Sequence, residues 1–95
     1  MVDGVYRVRG DSMRPRLVDG SLVGVRKAAT AEIGALVVAQ QGDELLLKWL
    51  VRLDGERVRL ESENPAFAPI EGTDIAIVGV AVWAHLPKGV LTRGS

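Results

Sequence analysis

The hexapeptide Gly10-Asp11-Ser12-Met13-Arg14-Pro15 follows directly after the alternating segment Val5-Tyr6-Arg7-Val8-Arg9. Alternation of apolar and polar side chains is typical of a β-strand. Gly10 permits a sharp change of direction after that strand, and the proline that ends the hexapeptide fixes φ just beyond it. We therefore expect Ser12 at a strand-to-turn corner, with the backbone N–H of Met13 beside it.

Such a corner has two interpretations. A hydroxyl next to an amide N–H is what acyl-transfer chemistry uses, because the hydroxyl attacks a carbonyl carbon while the N–H stabilises the developing oxyanion. Alternatively, Asp11 and Ser12 are ordinary turn-forming residues. The hexapeptide alone favours the second interpretation, and a lysine much further along the chain favours the first.

That lysine lies within the segment Leu45-Leu46-Leu47-Lys48-Trp49-Leu50-Val51. Strand alternation places Lys48 on the same face as Leu46 and Leu50, and the remaining residues of the segment make the other face apolar as well. Because a strand that is apolar on both faces is usually central, Lys48 is expected to be buried. Burial of an unpaired ammonium group is costly, so its pKa falls and the amine becomes neutral. A neutral amine can act as a general base.

The alternative is that Lys48 reaches water at a strand end or pairs with Glu32 or Glu44. However, a serine presented by a glycine corner and a lysine buried in a strand together form the Ser–Lys variant of nucleophilic catalysis. The pair is more specific than either residue alone. Ser12 and Lys48 are therefore the candidate catalytic residues.

Composition limits the other possibilities. The 95 residues are enough for one domain, residues 1–95, and 47% of them are apolar. Lysine plus arginine and aspartate plus glutamate number 12 each, so no charge excess indicates binding to nucleic acid. The absence of cysteine excludes disulfides and thiolate metal sites and fits a cytoplasmic location. No cofactor or metal site is predicted, and the longest apolar run, residues 75–86, is shorter than the about 20 residues that span a membrane.

Turn signals divide the chain into about seven short strands with almost no helical periodicity. This pattern predicts an all-β domain that is barrel-like or sandwich-like. One short helical turn is expected at residues 13–17, and residues 88–95 are expected to form a flexible tail. Beyond the first strand, the expected extended segments are residues 21–26, 36–40, 44–53, 56–61, 67–70 and 75–86.

Several blocks of this sequence, in order, resemble the LexA/UmuD family of self-cleaving repressors and polymerase subunits. The resemblance extends over residues 5–83, and the separation of Ser12 and Lys48 is similar to the family's spacing. The principal blocks are Val8-Arg9-Gly10-Asp11-Ser12-Met13-Arg14-Pro15, Leu47-Lys48, Glu63-Asn64-Pro65-Ala66-Phe67-Ala68-Pro69-Ile70 and Ile77-Val78-Gly79-Val80-Ala81-Val82.

The resemblance implies a Ser–Lys peptidase with the mostly-β, strongly curved fold shared with signal peptidases. Ser12 matches the nucleophile, and Lys48 matches the base that takes the serine proton and returns it to the leaving amine. The backbone N–H groups of Ser12 and Met13 would form the oxyanion hole. The substrate would be an Ala-Gly or Cys-Gly bond in the protein's own upstream segment, and RecA filaments would stimulate cleavage after DNA damage. The resemblance also implies a homodimer, whereas direct binding of nucleic acid by this domain and membrane association are not expected.

The sequence departs from the family pattern at several positions. Gly20-Ser21 and Gly34-Ala35 stand where the family usually has Gly-Asp, which affects turns rather than the dyad. Trp49 stands where an arginine commonly follows the lysine, so the wall of the cleft or a partner contact is expected to differ. Only eleven residues precede Ser12, and they contain no Ala-Gly or Cys-Gly bond. This chain is therefore expected not to cleave itself at the family site.

The apolar segment near the end of the chain leaves another function open. Residues 75–83 are apolar on both faces, which is typical of a central strand or of a strand that packs against a second copy in a homodimer. The resemblance favours the homodimer, and the domain could then be a dimerisation and signal-receiving module whose peptidase residues are unused. A soluble signal-peptidase relative is a further alternative. His85, the only histidine, has no spacing that would bring it to Ser12.

Overall fold

The computed structural model describes residues 2–87. The described chain forms one antiparallel sheet in the order β1-β2-β7-β3-β4-β5-β6. No helix among these residues is long and apolar enough to cross a membrane. The strands are β1 Gly4–Arg7, β2 Leu22–Lys27, β3 Leu36–Gln41, β4 Glu44–Asp54, β5 Arg57–Glu61, β6 Ile70–Gly72 and β7 Ile75–His85. The prediction of an all-β fold is confirmed.

The sheet curls without closing into a barrel. β1 and β6 remain as edges, while β5 and β7 approach each other although they are not neighbours in the sheet. Register shifts occur in β2 opposite β7, in β3 opposite β7 and in β4 opposite β5. Such bulges bend strands and increase their twist, which accounts for the curvature.

Most predicted strands lie within one or two residues of the observed ones, and one local expectation changes. Residues 13–17 form the expected single helical turn, closed by the bond from the Leu17 N–H to the Met13 carbonyl at 2.8 Å, and it does not continue into a helix. The extended segment expected at residues 67–70 begins only at Ile70, because the Phe67 N–H closes a turn onto the Asn64 carbonyl at 3.1 Å. The tail expected at residues 88–95 lies outside the described residues.

The sheet buries apolar side chains on both faces. Neighbouring residues of a strand point to opposite faces, so Val37 and Val38 of β3 enter different clusters. The first cluster contains Val37, Ala39, Leu50, Val58, Leu60, Ile75 and Ile77. The second contains Val8, Met13, Leu17, Val23, Val38 and Leu47, and therefore includes the residues on either side of the Ser12 corner.

The two ends of β7 differ in burial. Ile75 and Ile77 lie in the part of β7 that pairs with β3, and they are buried in the first cluster. Val82 and Trp83 near the other end are 46% and 45% exposed. The indole of Trp83 lies over Gly24 of β2, where any side chain would collide with it. The end of β7 therefore presents an apolar surface.

Candidate active site

The Ser12 corner is fixed from both sides. Before it, Gly10 has a φ of 78°, a conformation that glycine adopts readily, and its N–H donates to Asp19 Oδ1 at 2.7 Å. After it, the Met13 side chain is 1% exposed and packs in the second cluster. Ser12 itself is half-buried. The predicted strand-to-turn corner is therefore present, with a buried methionine as its anchor.

Asp11 and Asp19 both serve this turn. The Asp11 carbonyl accepts the Arg14 N–H at 3.1 Å, in keeping with the turn-forming role considered for this residue. The Asp19 carboxylate holds the Gly10 amide, a contact that sequence analysis did not identify. The sequence signal was present, since an aspartate before a glycine commonly accepts bonds from nearby backbone amides.

Lys48 lies in β4 between β3 and β5, opposite Val37. The residue is 7% exposed, so the predicted burial of this lysine is confirmed. Neither Glu32 nor Glu44 forms an ion pair with it in the part of the chain that the structure describes. Its Nζ instead donates to Ser62 Oγ at 2.8 Å.

Burial lowers the pKa of the Lys48 amine below the ordinary value for lysine. The ring of Phe67, with its centroid 5.7 Å from Nζ, favours the ammonium form weakly at such a distance. The neighbouring Ser62 hydroxyl is uncharged and cannot replace the hydration that burial removes. Burial therefore shifts the protonation equilibrium of Lys48 towards the neutral amine, the form that can accept a proton.

Ser12 and Lys48 line the same cavity of about 260 Å³. The structure thus brings the two predicted residues to one site, although no hydrogen bond joins Lys48 Nζ to Ser12 Oγ within residues 2–87. The remaining lining residues are Tyr6, Val8, Arg9, Met13, Glu44, Leu45, Leu46 and Leu47.

The cavity contains further titratable groups around the amine. Arg9 and Glu44 contribute opposite charges to its wall, so their fields at Lys48 oppose each other. Burial raises the pKa of Tyr6, and the positive charge of Arg9 partly offsets that effect. The Tyr6 hydroxyl donates to the Leu45 carbonyl at 3.3 Å across the cavity wall. The Tyr6 ring therefore connects β1 to β4 beside the candidate site.

The backbone N–H groups of Ser12 and Met13 were predicted to form an oxyanion hole. Neither donates to a backbone carbonyl among the described residues. Both residues line the cavity that also contains Lys48. Two unused donors at this position fit the chemistry of oxyanion stabilisation, and this role stays a prediction.

Ser62 is the polar partner that sequence analysis missed. It lies in a cluster of turn-forming residues directly after β5, and the sequence indicated only a turn there. β5 is antiparallel to β4, with Glu61 opposite Trp49. That register brings the residue after Glu61 to the residue before Trp49, so a hydroxyl reaches Lys48. The signal becomes visible only when the pairing of the two strands is known.

Trp49, which departs from the family pattern, contacts the turn that follows β5. Its Nε1 donates to Glu63 Oε1 at 2.9 Å, and the Arg16 Nε lies 3.2 Å from the same oxygen. The Arg16 guanidinium carbon also lies 5.5 Å from the centroid of the Trp49 ring. Trp49 thus packs against a residue that follows the Ser12 corner, and it does not line the cavity itself.

The other candidates lie away from this site. His85 ends β7 opposite Leu22 and does not line the cavity. Residues 2–87 contain no group of three histidine, aspartate or glutamate side chains that could hold a metal ion.

Comparisons with known proteins place this geometry in context. The sequence model of the family described as Peptidase S24-like matches residues 2–82. The LexA repressor of Xylella fastidiosa (strain M23) is 44% identical over 82 residues, which are 82% of this chain and 38% of the relative. The LexA repressor of Bordetella pertussis is 46% identical over 84 residues, which are 84% of this chain and 38% of the relative. The chain therefore spans well under half the length of these curated relatives.

Proposed function

The chain belongs to the Peptidase S24-like family, and on that premise we propose that it is the peptidase domain of a LexA-like regulator, with Ser12 as nucleophile and Lys48 as general base. One observation carries this proposal. A half-buried serine and a buried lysine whose pKa is lowered by desolvation line a single cavity of about 260 Å³.

The proposed reaction follows from the two side chains. The neutral Lys48 amine has one lone pair and two N–H bonds, and the bond to Ser62 uses one N–H. Rotation within the cavity directs the lone pair to the Ser12 hydroxyl, and Nζ takes its proton as Oγ attacks the scissile carbonyl carbon. The N–H groups of Ser12 and Met13 stabilise the oxyanion.

Completion of the reaction needs the same amine twice. The Lys48 ammonium gives its proton to the leaving nitrogen as the C–N bond breaks, which leaves an ester on Ser12. Water then attacks that ester while the amine takes its proton, and the ammonium returns this proton to Ser12 Oγ as the acyl–oxygen bond breaks and the acid product departs. Hydrolysis therefore leaves both side chains in their starting forms.

In the whole protein, the proposed substrate is a peptide segment of the chain itself, carrying an Ala-Gly or Cys-Gly bond. RecA filaments formed after DNA damage would stimulate its cleavage in the cytoplasm, and cleavage would end repression. This role rests on the resemblance and on the LexA repressors that the chain matches.

Cleavage of a separate peptide tests the proposal. The chain is mixed with a synthetic peptide containing an Ala-Gly bond between apolar residues, and products are identified by mass spectrometry from pH 7 to pH 10. We expect cleavage at that bond, with a rate that rises with pH as Lys48 loses its proton and then levels off. The control peptide carries D-alanine at the same position. If no product forms even at pH ~10, where an ordinary lysine begins to deprotonate, the peptidase proposal is wrong.

A second function, homodimerisation, is favoured by the exposed end of β7. Val82 and Trp83 are adjacent residues that leave nearly half of their surfaces exposed, at the end of β7 that pairs with β2 and not with β3. Apolar side chains that remain exposed at one strand end are typical of an interface between copies of one chain. A dimer would place two DNA-binding domains of a repressor on a palindromic site.

Sedimentation at micromolar concentration tests the dimer. We expect the wild type to sediment as a dimer and Trp83→Arg as a monomer, because the charge would be buried in the interface. The matched control is Ile33→Arg, which adds the same charge at a 59% exposed loop residue. A monomeric wild type, or a Trp83→Arg variant that remains dimeric, contradicts this interface.

A further inference from the structure

The three residues Ser62-Glu63-Asn64 contact both halves of the candidate site. On the side of β4, Ser62 Oγ accepts from Lys48 Nζ and Glu63 accepts from the indole of Trp49. These contacts follow from the pairing of β5 with β4, which ends next to Lys48. The segment therefore begins in the sheet that carries the candidate base.

On the side of the corner, Asn64 makes two bonds to the backbone around the candidate nucleophile. Its N–H donates to the Ser12 carbonyl at 2.9 Å, and its Nδ2 donates to the Asp11 carbonyl at 3.1 Å. Both acceptors are backbone atoms, so these bonds fix the path of the chain through the corner while leaving the Ser12 hydroxyl unoccupied by them.

Asn64 is itself held in place by its remaining polar groups. Its Oδ1 accepts the Ala66 N–H at 3.0 Å, and its carbonyl accepts the Phe67 N–H at 3.1 Å. All four hydrogen-bonding groups of this asparagine are thus engaged. No other natural side chain offers an amide donor and a carbonyl acceptor at the same reach, since glutamine is longer and aspartate has no donor.

We propose that Asn64 is a positioning residue that sets the place of the Ser12 corner relative to Lys48. This inference rests on the proposed peptidase function. The corner is a loop whose own turn contains few bonds, whereas Lys48 is fixed by the register of a central strand. A bridge between them determines whether Ser12 Oγ and Lys48 Nζ can meet. A misplacement of about 1 Å can reduce a rate by about 100-fold.

The test compares three variants in the peptide cleavage assay. Asn64→Asp keeps the size and the acceptor for the Ala66 N–H but removes the Nδ2 donor. Ser62→Ala removes the partner of Lys48 instead. Gln40→Ala is the matched control, because it removes another exposed amide donor, the 3.2 Å bond from Gln40 Nε2 to the Gly42 carbonyl, far from the corner.

We expect Asn64→Asp to lower kcat by about tenfold to 100-fold with little change in KM, because the nucleophile is displaced. The new carboxylate favours the Lys48 ammonium, so the pH midpoint of kcat can move only to higher pH, opposite to the shift expected for Ser62→Ala. Ser62→Ala is expected to move that midpoint to lower pH, since the ammonium form of Lys48 loses its acceptor. In Ser62→Ala, Arg9, Glu44, Tyr6 and the Phe67 ring still surround Lys48 as in the wild type. Gln40→Ala should match the wild type throughout.

Three outcomes would overturn the inference: a wild-type kcat in Asn64→Asp, a pH midpoint that moves as in Ser62→Ala, or an equal loss in Gln40→Ala. Amide hydrogen exchange gives a readout that does not need activity. Faster exchange of the Gly10 and Arg14 amides in Asn64→Asp than in Gln40→Ala supports the inference even if the wild type cleaves nothing, which would reject only the proposed function. Unchanged exchange at both amides would overturn it. If Asn64→Asp does not fold, Asn64→Ser, whose hydroxyl still accepts the Ala66 N–H, is used in the same way.

Discussion

The Ser12 corner and the Lys48 strand reach one cavity by different means. Lys48 lies in β4 opposite Val37 of β3 and directly before the first residue that pairs with β5, so the backbone ladders determine its position. Ser12 lies in a turn outside the sheet, where the buried Met13 side chain and a few individual hydrogen bonds hold it. The candidate base is thus part of the sheet, whereas the candidate nucleophile lies in a turn that packs against the sheet.

This difference separates two kinds of sensitivity. Substitutions near Lys48 act mainly on the protonation of its amine, because the sheet keeps the backbone in place. Substitutions near Ser12 act mainly on the distance between Ser12 Oγ and Lys48 Nζ, because only a few contacts hold the corner in place. Variants near Lys48 should therefore change the pH dependence of cleavage, whereas variants near Ser12 should change the cleavage rate and, where an anchor is lost, the stability.

The largest effect is expected from loss of the nucleophile. Ser12→Ala should reduce peptide cleavage by roughly 1,000-fold or more, because it removes the hydroxyl that the corner presents beside the two unused N–H groups. Because Ser12 is only half-buried, the urea midpoint should stay close to that of the wild type. Thr73→Ala, at an exposed turn, is the control. Retention of cleavage would show that another residue is the nucleophile.

The next effect concerns the base. Lys48→Met keeps the length and burial of the side chain but removes the amine, so cleavage should fall by about 100-fold to 10,000-fold, the usual contribution of a general base. Lys27→Met, at an exposed lysine of β2, should leave cleavage unchanged. A rate for Lys48→Met close to that of Lys27→Met would exclude a Ser–Lys mechanism.

Loss of the corner's anchor is expected to act on both stability and rate. Met13→Ala removes one of the largest fully buried side chains and should lower the free energy of unfolding by about 2–5 kcal/mol. Leu45→Ala, at a 51% exposed residue, should change it by about 0.5 kcal/mol or less. Urea titration measures both variants. A loss below about 1 kcal/mol in Met13→Ala would mean that the corner does not depend on this side chain.

The smallest effect is the pH dependence of stability due to Lys48. Its pKa is lowered in the folded state, so the unfolded chain binds the proton more tightly, and unfolding becomes less favourable as pH rises from the lowered value to the ordinary value. Within that window, each pH unit adds about 1.4 kcal/mol to the free energy of unfolding of the wild type. We therefore expect the free energy of unfolding of the wild type to rise relative to that of Lys48→Met as the pH rises through this window. Lys27→Met should follow the wild type in parallel, and parallel curves for Lys48→Met would contradict the lowered pKa.

Local sequence predicted much of this site. Alternation and turn residues located the strands, and a charged residue inside an apolar run identified a buried lysine in β4. A glycine, a serine and a proline close together predicted the corner. These features depend on neighbouring residues, whose preferences act over a few positions of the chain.

The partners of the two candidate residues were not predictable in this way. Ser62 and Asn64 belong to a segment that the sequence indicated only as a turn, yet one contacts Lys48 and the other contacts the Ser12 backbone. The direction of the Lys48 amine, towards Ser62 rather than Ser12, was likewise not foreseen. Each of these contacts joins residues far apart in the chain.

The sequence by itself determined that this protein is a sheet of short strands with a serine at a glycine corner and a lysine in an apolar strand. Only the tertiary structure decided that the two line one cavity and that Ser62-Glu63-Asn64 connects them. The reason is that contacts across 14 or 53 positions depend on strand register, on bulges and on the curl of the sheet. A shift of one residue in the pairing of β4 with β5 would turn these side chains to the opposite face.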